Sequence, residues 1–339
     1  MSGSPSSRLA FFNRSDFLYP LRLGPVLKRA VWGGRSIERI LGKPLPPGDD
    51  YAESWEVTDH RLGVNTILYG RFAGEAFHFL VENYPDQLLG ADYRLSRFPL
   101  LMKILDANHQ LSVQVHPDDD LASQMQLSDG GKDEAWVILD SQPDSFIYSG
   151  FRFPVTEEII REAITEGLLE TLLFRFHPEP GQSLYLPAGT VHSLGAGVLV
   201  AEIQQSSDHT FRLYDWNRRN AQGISRPLHV EEGLKALLYS QGKVQPQDHK
   251  KMGVRGSETL VKCDKFVVCR HHFIDPFIIE SNQKAQILFV VRGQMDVSGD
   301  PARIPLASGH TVVLPACLES TKLIPVGDVP CVVLQFYVP

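Results

Sequence analysis

A chain of 339 residues with 43% hydrophobic and 22% charged content has the balance of an ordinary globular protein, and its length suffices for two domains or one large one, each with a full core. A net charge of −7 argues against a nucleic-acid surface, and no apolar run approaches the roughly 18 residues of a membrane span. The four cysteines, Cys263, Cys269, Cys317 and Cys331, fall in the last quarter without a C-x-x-C pair; they indicate neither a zinc ribbon nor a disulfide framework and read as core residues.

Met1 to Ser7 lacks the apolar centre of a secretory signal, reads as a short disordered tail, and leaves the cytoplasm as the expected location. Trp32-Gly33-Gly34 is a turn or close-approach signal, and after the Pro44–Gly48 loop the run Glu53–Val57 predicts a strand with polar residues on one side. Phe77 to Leu89, with Tyr84-Pro85 in its middle, predicts a short helical piece. Phe98–Leu105 predicts a buried strand bearing Lys103, whose ammonium needs either a partner or a route back to water. In Leu111–His116 the apolar Leu111, Val113 and Val115 alternate with Ser112, Gln114 and His116, the period of a half-buried strand with one polar face. Asp118 to Asp120 then opens a helix through Met125, where acidic residues act as caps rather than ligands.

Thr156 to Leu173 carries Ile159, Ile160, Ala163, Ile164, Leu168, Leu169, Leu172 and Leu173 at helical spacing and reads as a helical insertion, about residues 154–174, packed on the preceding strands. Strands resume at Ser183–Leu186, Val198–Gln204 and Thr210–Tyr214; a helical piece at Val230–Tyr239 leads into a polar linker, Gln241–Gly256. From about Thr259 the pattern is short strands and turns.

Gly181–His192 is ordered as glycine, five residues, proline, one residue, glycine, two residues, histidine, and this resembles the second motif of the cupins, antiparallel barrels that hold a metal inside. Gly181 permits the turn, Pro187 and Gly189 interrupt the ladder, and His192 can then point inward. The first motif departs: Gln114 stands in place of the usual first histidine, and Glu134 follows His116 by eighteen residues. A weak repeat, Gly309 to Ser320, copies the spacing with Cys317 for the glycine and Ser320 for the histidine, as in a second barrel without a metal. The expected fold is therefore mainly β: two cupin-type jelly-roll barrels, residues 8–240 with the helical insertion and residues 257–339 in degenerate form. Gln114, His116, Glu134 and His192 offer an amide oxygen, two imidazoles and a carboxylate; the two histidines and the carboxylate suit zinc with an open position, although iron, manganese or cobalt could use the same set.

Taken in order, Trp32-Gly33-Gly34, Glu53–Glu56, Leu105–Ala107, Leu111–Asp119, Gly131–Trp136, Pro187–His192, Ala201–Asp208 and Thr210–Asn217 resemble the type I mannose-6-phosphate isomerases over about two thirds of the chain. The resemblance implies an aldose–ketose isomerase with one zinc ion per chain that interconverts mannose 6-phosphate and fructose 6-phosphate. It places the metal ligands at Gln114, His116, Glu134 and His192, a catalytic arginine at Arg212, further active-site residues at Ser112, Lys132 and Glu202, and a lysine near substrate at Lys103. Gly131 departs from members with a histidine there, and Ala135 from those with cysteine. Moving a carbonyl from C1 to C2 through an enediol needs a base near C2, and Glu202, Lys132 and a metal-bound hydroxide all qualify. Arg212 and Lys132 suit either the developing charge or the phosphate.

Two rival readings use the same barrel. A metal-dependent cupin oxygenase shares the two-histidine, one-carboxylate set, whereas Gln114 with neighbouring lysine and arginine favours a sugar phosphate. A non-catalytic sugar-binding cupin keeps the barrel and loses ligands, whereas all four candidates and Arg212 are present here.

Overall fold

The computed structural model describes residues 18–91, 93, 95–219, 223–247, 253 and 255–339; the expected N-terminal tail lies outside them. Alternating apolar and polar side chains give antiparallel strands almost throughout. One sheet runs in spatial order Ser183–Leu186, Glu134–Ser141, Val198–Gln205, Leu100–Ala107, Tyr51–Val57 and Val26–Gly34. Facing it is a five-stranded sheet of Leu173–Phe176, Ile147–Phe151, His192–Leu194, Val113–Val115 and Phe211–Tyr214. Trp32, Leu105, Leu111, Trp136, Leu184, Leu194 and Val200 fill one part of the space between them, as the inward halves of alternating strands should.

Leu100–Ala107 is buried along its whole length because both faces of its sheet are covered. Leu105 and Ala107 turn into the first barrel, while Met102 and Ile104 join Val268, Ile287, Phe289, Leu334 and Phe336 of a seven-stranded sheet. That sheet runs Gly256–Lys262, Val267–Phe273, Cys331–Tyr337, Gln286–Arg292, Thr311–Leu314, Leu21–Gly24 and Thr66–Ile67. Its other face packs on the four strands Phe277–Glu280, Ser320–Pro325, Gln294–Val297 and Leu306–Ala307 through Phe273, Leu288, Val290, Leu323 and Val333. The mainly β, two-barrel expectation thus matches the architecture. Leu21–Gly24 crosses between the halves: it pairs with Thr311–Leu314, and Arg22 is buried against Asp300 and the Ile304 carbonyl. We retain the division into 8–240 and 257–339 as a proposal, with this strand as an exchange across it.

Two helical expectations differ in detail. The Thr156–Leu173 run divides because Gly167, at φ 71°, caps the helix Glu157–Glu166, whose start is capped by Thr156; a 3-10 turn, Leu169–Leu172, follows, and Leu173 pairs with Phe151 as a strand. The helix and Val230–Ala236 cover the outer face of the five-stranded sheet over Val113, Val115, Phe211 and Leu213. Phe77–Leu89 breaks into Phe77–Asn83 and Pro85–Leu88, since Pro85 can begin a helix but not continue one. The expected linker begins on the barrel, where Val244 N donates to Ser149 O and Gln247 pairs with Ser183; residues 248–252 and 254 lie outside the described residues. Among the described residues no helix is long and apolar enough to cross a membrane.

Candidate active site

At the polar end of the first barrel, strand register places His192 opposite Gln114, and Gln114 opposite Arg212, so the three stand side by side on the inner face of one sheet. His116 follows one residue beyond its strand, and Glu134 begins the facing strand. Gly189, at φ 86°, makes the turn that delivers His192, and its N–H donates to the His116 carbonyl.

His116, Glu134 and His192 are all buried, with ligand atoms within 4.8 Å of one another. Each imidazole spends Nδ1 on a main-chain carbonyl: His116 on His209 O and His192 on Thr190 O, both at 2.9 Å. That fixes the tautomer and leaves the Nε2 lone pairs facing Glu134 at 3.5 and 3.1 Å. Burial, followed by the Lys132 ammonium, pushes His116 down to about 3, and burial also lowers His192, so both rings are neutral donors. Glu134 is ionised because Lys132, 2.8 Å from Oε2, outweighs the cost of burial, yet its buried Oε1 meets no hydrogen-bond donor among the described residues. Three converging lone-pair donors with no proton between them suit a divalent cation. Gln114 brings its side-chain amide to 3.2 Å from His192 Nε2.

The other expected residues surround this cluster. Lys132 Nζ lies 3.2 Å from His116 Nε2 and 3.8 Å from Glu202 Oε1. Glu202 is buried and accepts from Trp136 Nε1 at 2.8 Å; burial raises its pKa, Glu134 adds to the rise, and Lys132 and Lys103 oppose it. Lys103 finds its partners within the barrel: Glu53 at 3.6 Å, Glu202 at 3.7 Å and Asp208 at 3.9 Å, with the Trp55 ring 5.0 Å away. Arg212 donates Nη1 to Pro227 O at 2.8 Å, while its buried Nε has no acceptor among the described residues. Ser112 is buried immediately before the strand Val113–Val115 that carries Gln114. Sequence reasoning assigned no role to Glu53, Trp55, Trp136 or Asp208; the only hint was that Lys103 needed a counter-charge.

A second grouping, Asp133, Cys263 and Asp264, lies where the two halves meet. Asp133 already accepts from Tyr185 Oη at 2.5 Å and from Ala188 N at 2.9 Å, so its carboxylate is committed to holding the turn before His192.

A family model described as the catalytic domain of type I phosphomannose isomerase matches residues 20–135. A mannose-6-phosphate isomerase of Bacillus subtilis (strain 168) is 32% identical over 315 residues, which is 93% of this chain and 98% of the relative. The chain belongs to the type I phosphomannose isomerase family. A mannose-6-phosphate isomerase of Streptococcus mutans is 31% identical over 303 residues, covering 89% of this chain and 94% of that protein. The crystal structure of the mannose 6-phosphate isomerase from Bacillus subtilis superposes with a TM-score of 0.84 at 28% identity, over 94% of this chain and 99% of that one.

Within this phosphomannose isomerase framework the two sequence departures have physical explanations. A side chain on Gly131 would collide with the backbone of Asp118 and Asp119, and Gly131 N donates to Asp119 Oδ1 at 2.7 Å, so the loop before Lys132 is packed too closely for histidine. Ala135 faces away from the cluster into the core between the barrels, where its identity is a matter of packing.

Proposed function

We propose that this chain interconverts mannose 6-phosphate and fructose 6-phosphate with one zinc ion held by Gln114, His116, Glu134 and His192. The observation that carries this reading is the buried His–Glu–His cluster, with both Nδ1 atoms engaged, set among Lys103, Lys132 and Arg212. Bound there, the ion supplies positive charge beside the oxygen that becomes anionic as the enediol forms. Glu202, whose pKa burial raises, takes the proton from one carbon and returns it to the other. Lys132 keeps Glu134 and Glu202 ionised while the proton is elsewhere, and Arg212, whose Nε has no acceptor among the described residues, adds a fixed cation to the developing charge. Ser112 and Lys103 orient the sugar hydroxyls.

A coupled assay of fructose 6-phosphate formation, before and after chelation and after zinc is restored, tests this. Turnover that disappears with chelator and returns with zinc supports it; a zinc-loaded protein inert toward mannose 6-phosphate, or full activity after exhaustive chelation, refutes it.

A further inference from the structure

The loop that delivers Lys132 to the cluster is held from outside by groups to which the isomerase reading gives no role. Its outer side borders a cavity of about 480 Å³ lined in part by His60, Arg61, Asp129 and Gly131. A loop bordered by open space is not fixed by packing on that side, so its position depends on polar bonds. Four of these stitch residues 128–130 to residues 207–209. Asp129 N donates to His209 Nε2 at 3.2 Å, Asp208 N donates to Asp129 Oδ2 at 3.2 Å, Ser207 Oγ donates to Gly130 O at 2.9 Å, and Ser128 Oγ lies 3.3 Å from His209 Nε2. Both segments lead to the cluster. His209 O accepts from His116 Nδ1 at 2.9 Å, while Lys132, at the end of the loop, lies 3.2 Å from His116 Nε2 and 2.8 Å from Glu134 Oε2. Asp208 in turn faces Lys103 at 3.9 Å.

Asp129 is the centre of the stitching. Its side chain is 7% exposed, and besides Asp208 N it meets His60 Nε2 at 3.1 Å. The opposite nitrogen settles the tautomer: His60 Nδ1 accepts from Leu62 N at 3.3 Å in the tight turn between Asp59–His60 and Gly63–Val64, so the proton sits on Nε2 and points at Asp129. Burial alone would raise the Asp129 carboxyl, but the bonds from His60 and Asp208 N hold it below the ordinary carboxylate value, and an anionic acceptor makes both bonds stronger. We propose that Asp129, oriented by His60, is a positioning residue of the metal centre: it ties the carbonyl that orients His116 to the loop that delivers Lys132, and so sets how tightly the cluster holds zinc. The proposal rests on the zinc reading of that cluster and extends it to two residues outside the four ligands. A ring whose Nδ1–H is firmly held presents its Nε2 lone pair in one direction; when the carbonyl drifts, the ring must be ordered again as the ion binds. The same clamp governs the ammonium of Lys132, which stands beside that lone pair and competes for it.

The test compares wild type with Asp129→Ala, Asp129→Asn and His60→Leu as full chains. Zinc affinity is read by competition with a chromophoric chelator, and coordination by the visible spectrum of the cobalt-loaded protein. Asp129→Ala should weaken zinc roughly 10- to 100-fold, the range for loss of an outer partner of a ligand, and should alter the cobalt bands. Asp129→Asn, which keeps an oxygen for His60 and Asp208 N, should recover most of the affinity; His60→Leu, which removes one bond to the carboxylate, should lose less than Asp129→Ala. Ser96→Ala, on the same cavity wall but outside the clamp, should match wild type. The rise in urea midpoint on adding zinc should shrink in Asp129→Ala, whereas a purely structural role would lower loaded and chelated forms equally and leave the rise intact. Zinc affinity within about threefold of wild type in Asp129→Ala overturns the proposal, as does an undiminished zinc-dependent rise. If that variant does not fold, His60→Leu decides on the same readings. If the wild type binds no zinc, the metal reading fails separately, and nitrogen-15 NMR of the histidine rings still decides the clamp. The His116 Nδ1–H signal should then be protected from exchange in wild type and Asp129→Asn and lost to solvent in Asp129→Ala or His60→Leu; equal protection in all of them overturns it.

Discussion

Replacing Lys103 with methionine should destabilise the folded protein by on the order of 3–5 kcal/mol at neutral pH, the cost of leaving buried carboxylates without their cation. The ammonium is 5% exposed and lies 3.6 Å from Glu53, 3.7 Å from Glu202 and 3.9 Å from Asp208. Burial alone would lower its pKa, but these three carboxylates raise it instead, so it is charged at any working pH. At an effective dielectric of about 20, unit charges about 3.7 Å apart attract by roughly 4.5 kcal/mol. Asp208, 38% exposed, is screened and contributes little of this, and desolvation consumes much of the rest, so the figure rests on Glu53 and Glu202. Methionine keeps the length and the apolar stem, which isolates the charge. The sign with pH follows. Glu202 is already raised by burial and Lys103 opposes the rise; without the ammonium it rises further above its unfolded value near 4.3, so the penalty is largest above the raised value and shrinks as pH falls through it and the carboxyl takes up its proton. Urea unfolding of wild type and variant at pH 7.5 and pH 5 measures it. A difference below about 1 kcal/mol at both pH values would falsify the view that Lys103 is the counter-ion of this cluster, since it would match an exposed pair.

Arg212→Ala should lower kcat far more than it raises KM, the mark of an interaction made in the transition state; a normal kcat with only a raised KM would move Arg212 to ground-state binding. Elemental analysis should find about one metal per wild-type chain and close to none in His192→Ala, because in the second barrel His271 Nε2 is already engaged by Gln335 Oε1 at 2.6 Å and Ser320 is exposed. A full equivalent retained in that variant would put a metal elsewhere. Chelated protein should lose stability as pH falls from about 6.5 toward 3, since unfolded imidazole protonates near 6.5 while folded His116 resists to about 3. The unfolded state binds the extra proton throughout that window; denaturant midpoints of the chelated protein that do not move between pH 7 and pH 5 contradict this.

What the sequence disclosed and what it concealed divide along a physical line. Local alternation shows which face a side chain takes, so Gln114 and His116 could be put on one polar face, and the Pro187-x-Gly189 break marked His192 as redirected. Glu134 was reached only through family resemblance, because nothing local ties it to residues on the facing sheet. The same limit hid the neighbours of Lys103: an ammonium in an apolar strand announces that a counter-charge exists, but Glu53, Glu202 and Asp208 come from separate parts of the chain brought together by register. Leu21–Gly24 was beyond local reading for the same reason, since its partner strand lies almost three hundred residues later. The overlong helix at Thr156–Leu173 is a different error, in which three-and-four spacing of leucines fits a 3-10 turn as well as an α-helix, and Gly167 between them carried the stop.

Gly131 shows why a departure at one site residue need not weaken the functional reading. Read along the chain, glycine before Lys132 looks like a missing side chain, and any proton-transfer role given to a histidine there is lost. In three dimensions the position has no room for one: the backbone of Asp118 and Asp119 fills it, and Asp119 in turn binds Gly131 N and the Lys265 ammonium, the latter at 2.8 Å. Close packing here fixes the loop from which Lys132 reaches His116 and Glu134. On the proposed reading, proton transfer falls to groups that the fold does bring to the cluster, and Glu202 is the buried carboxyl among them whose pKa burial raises.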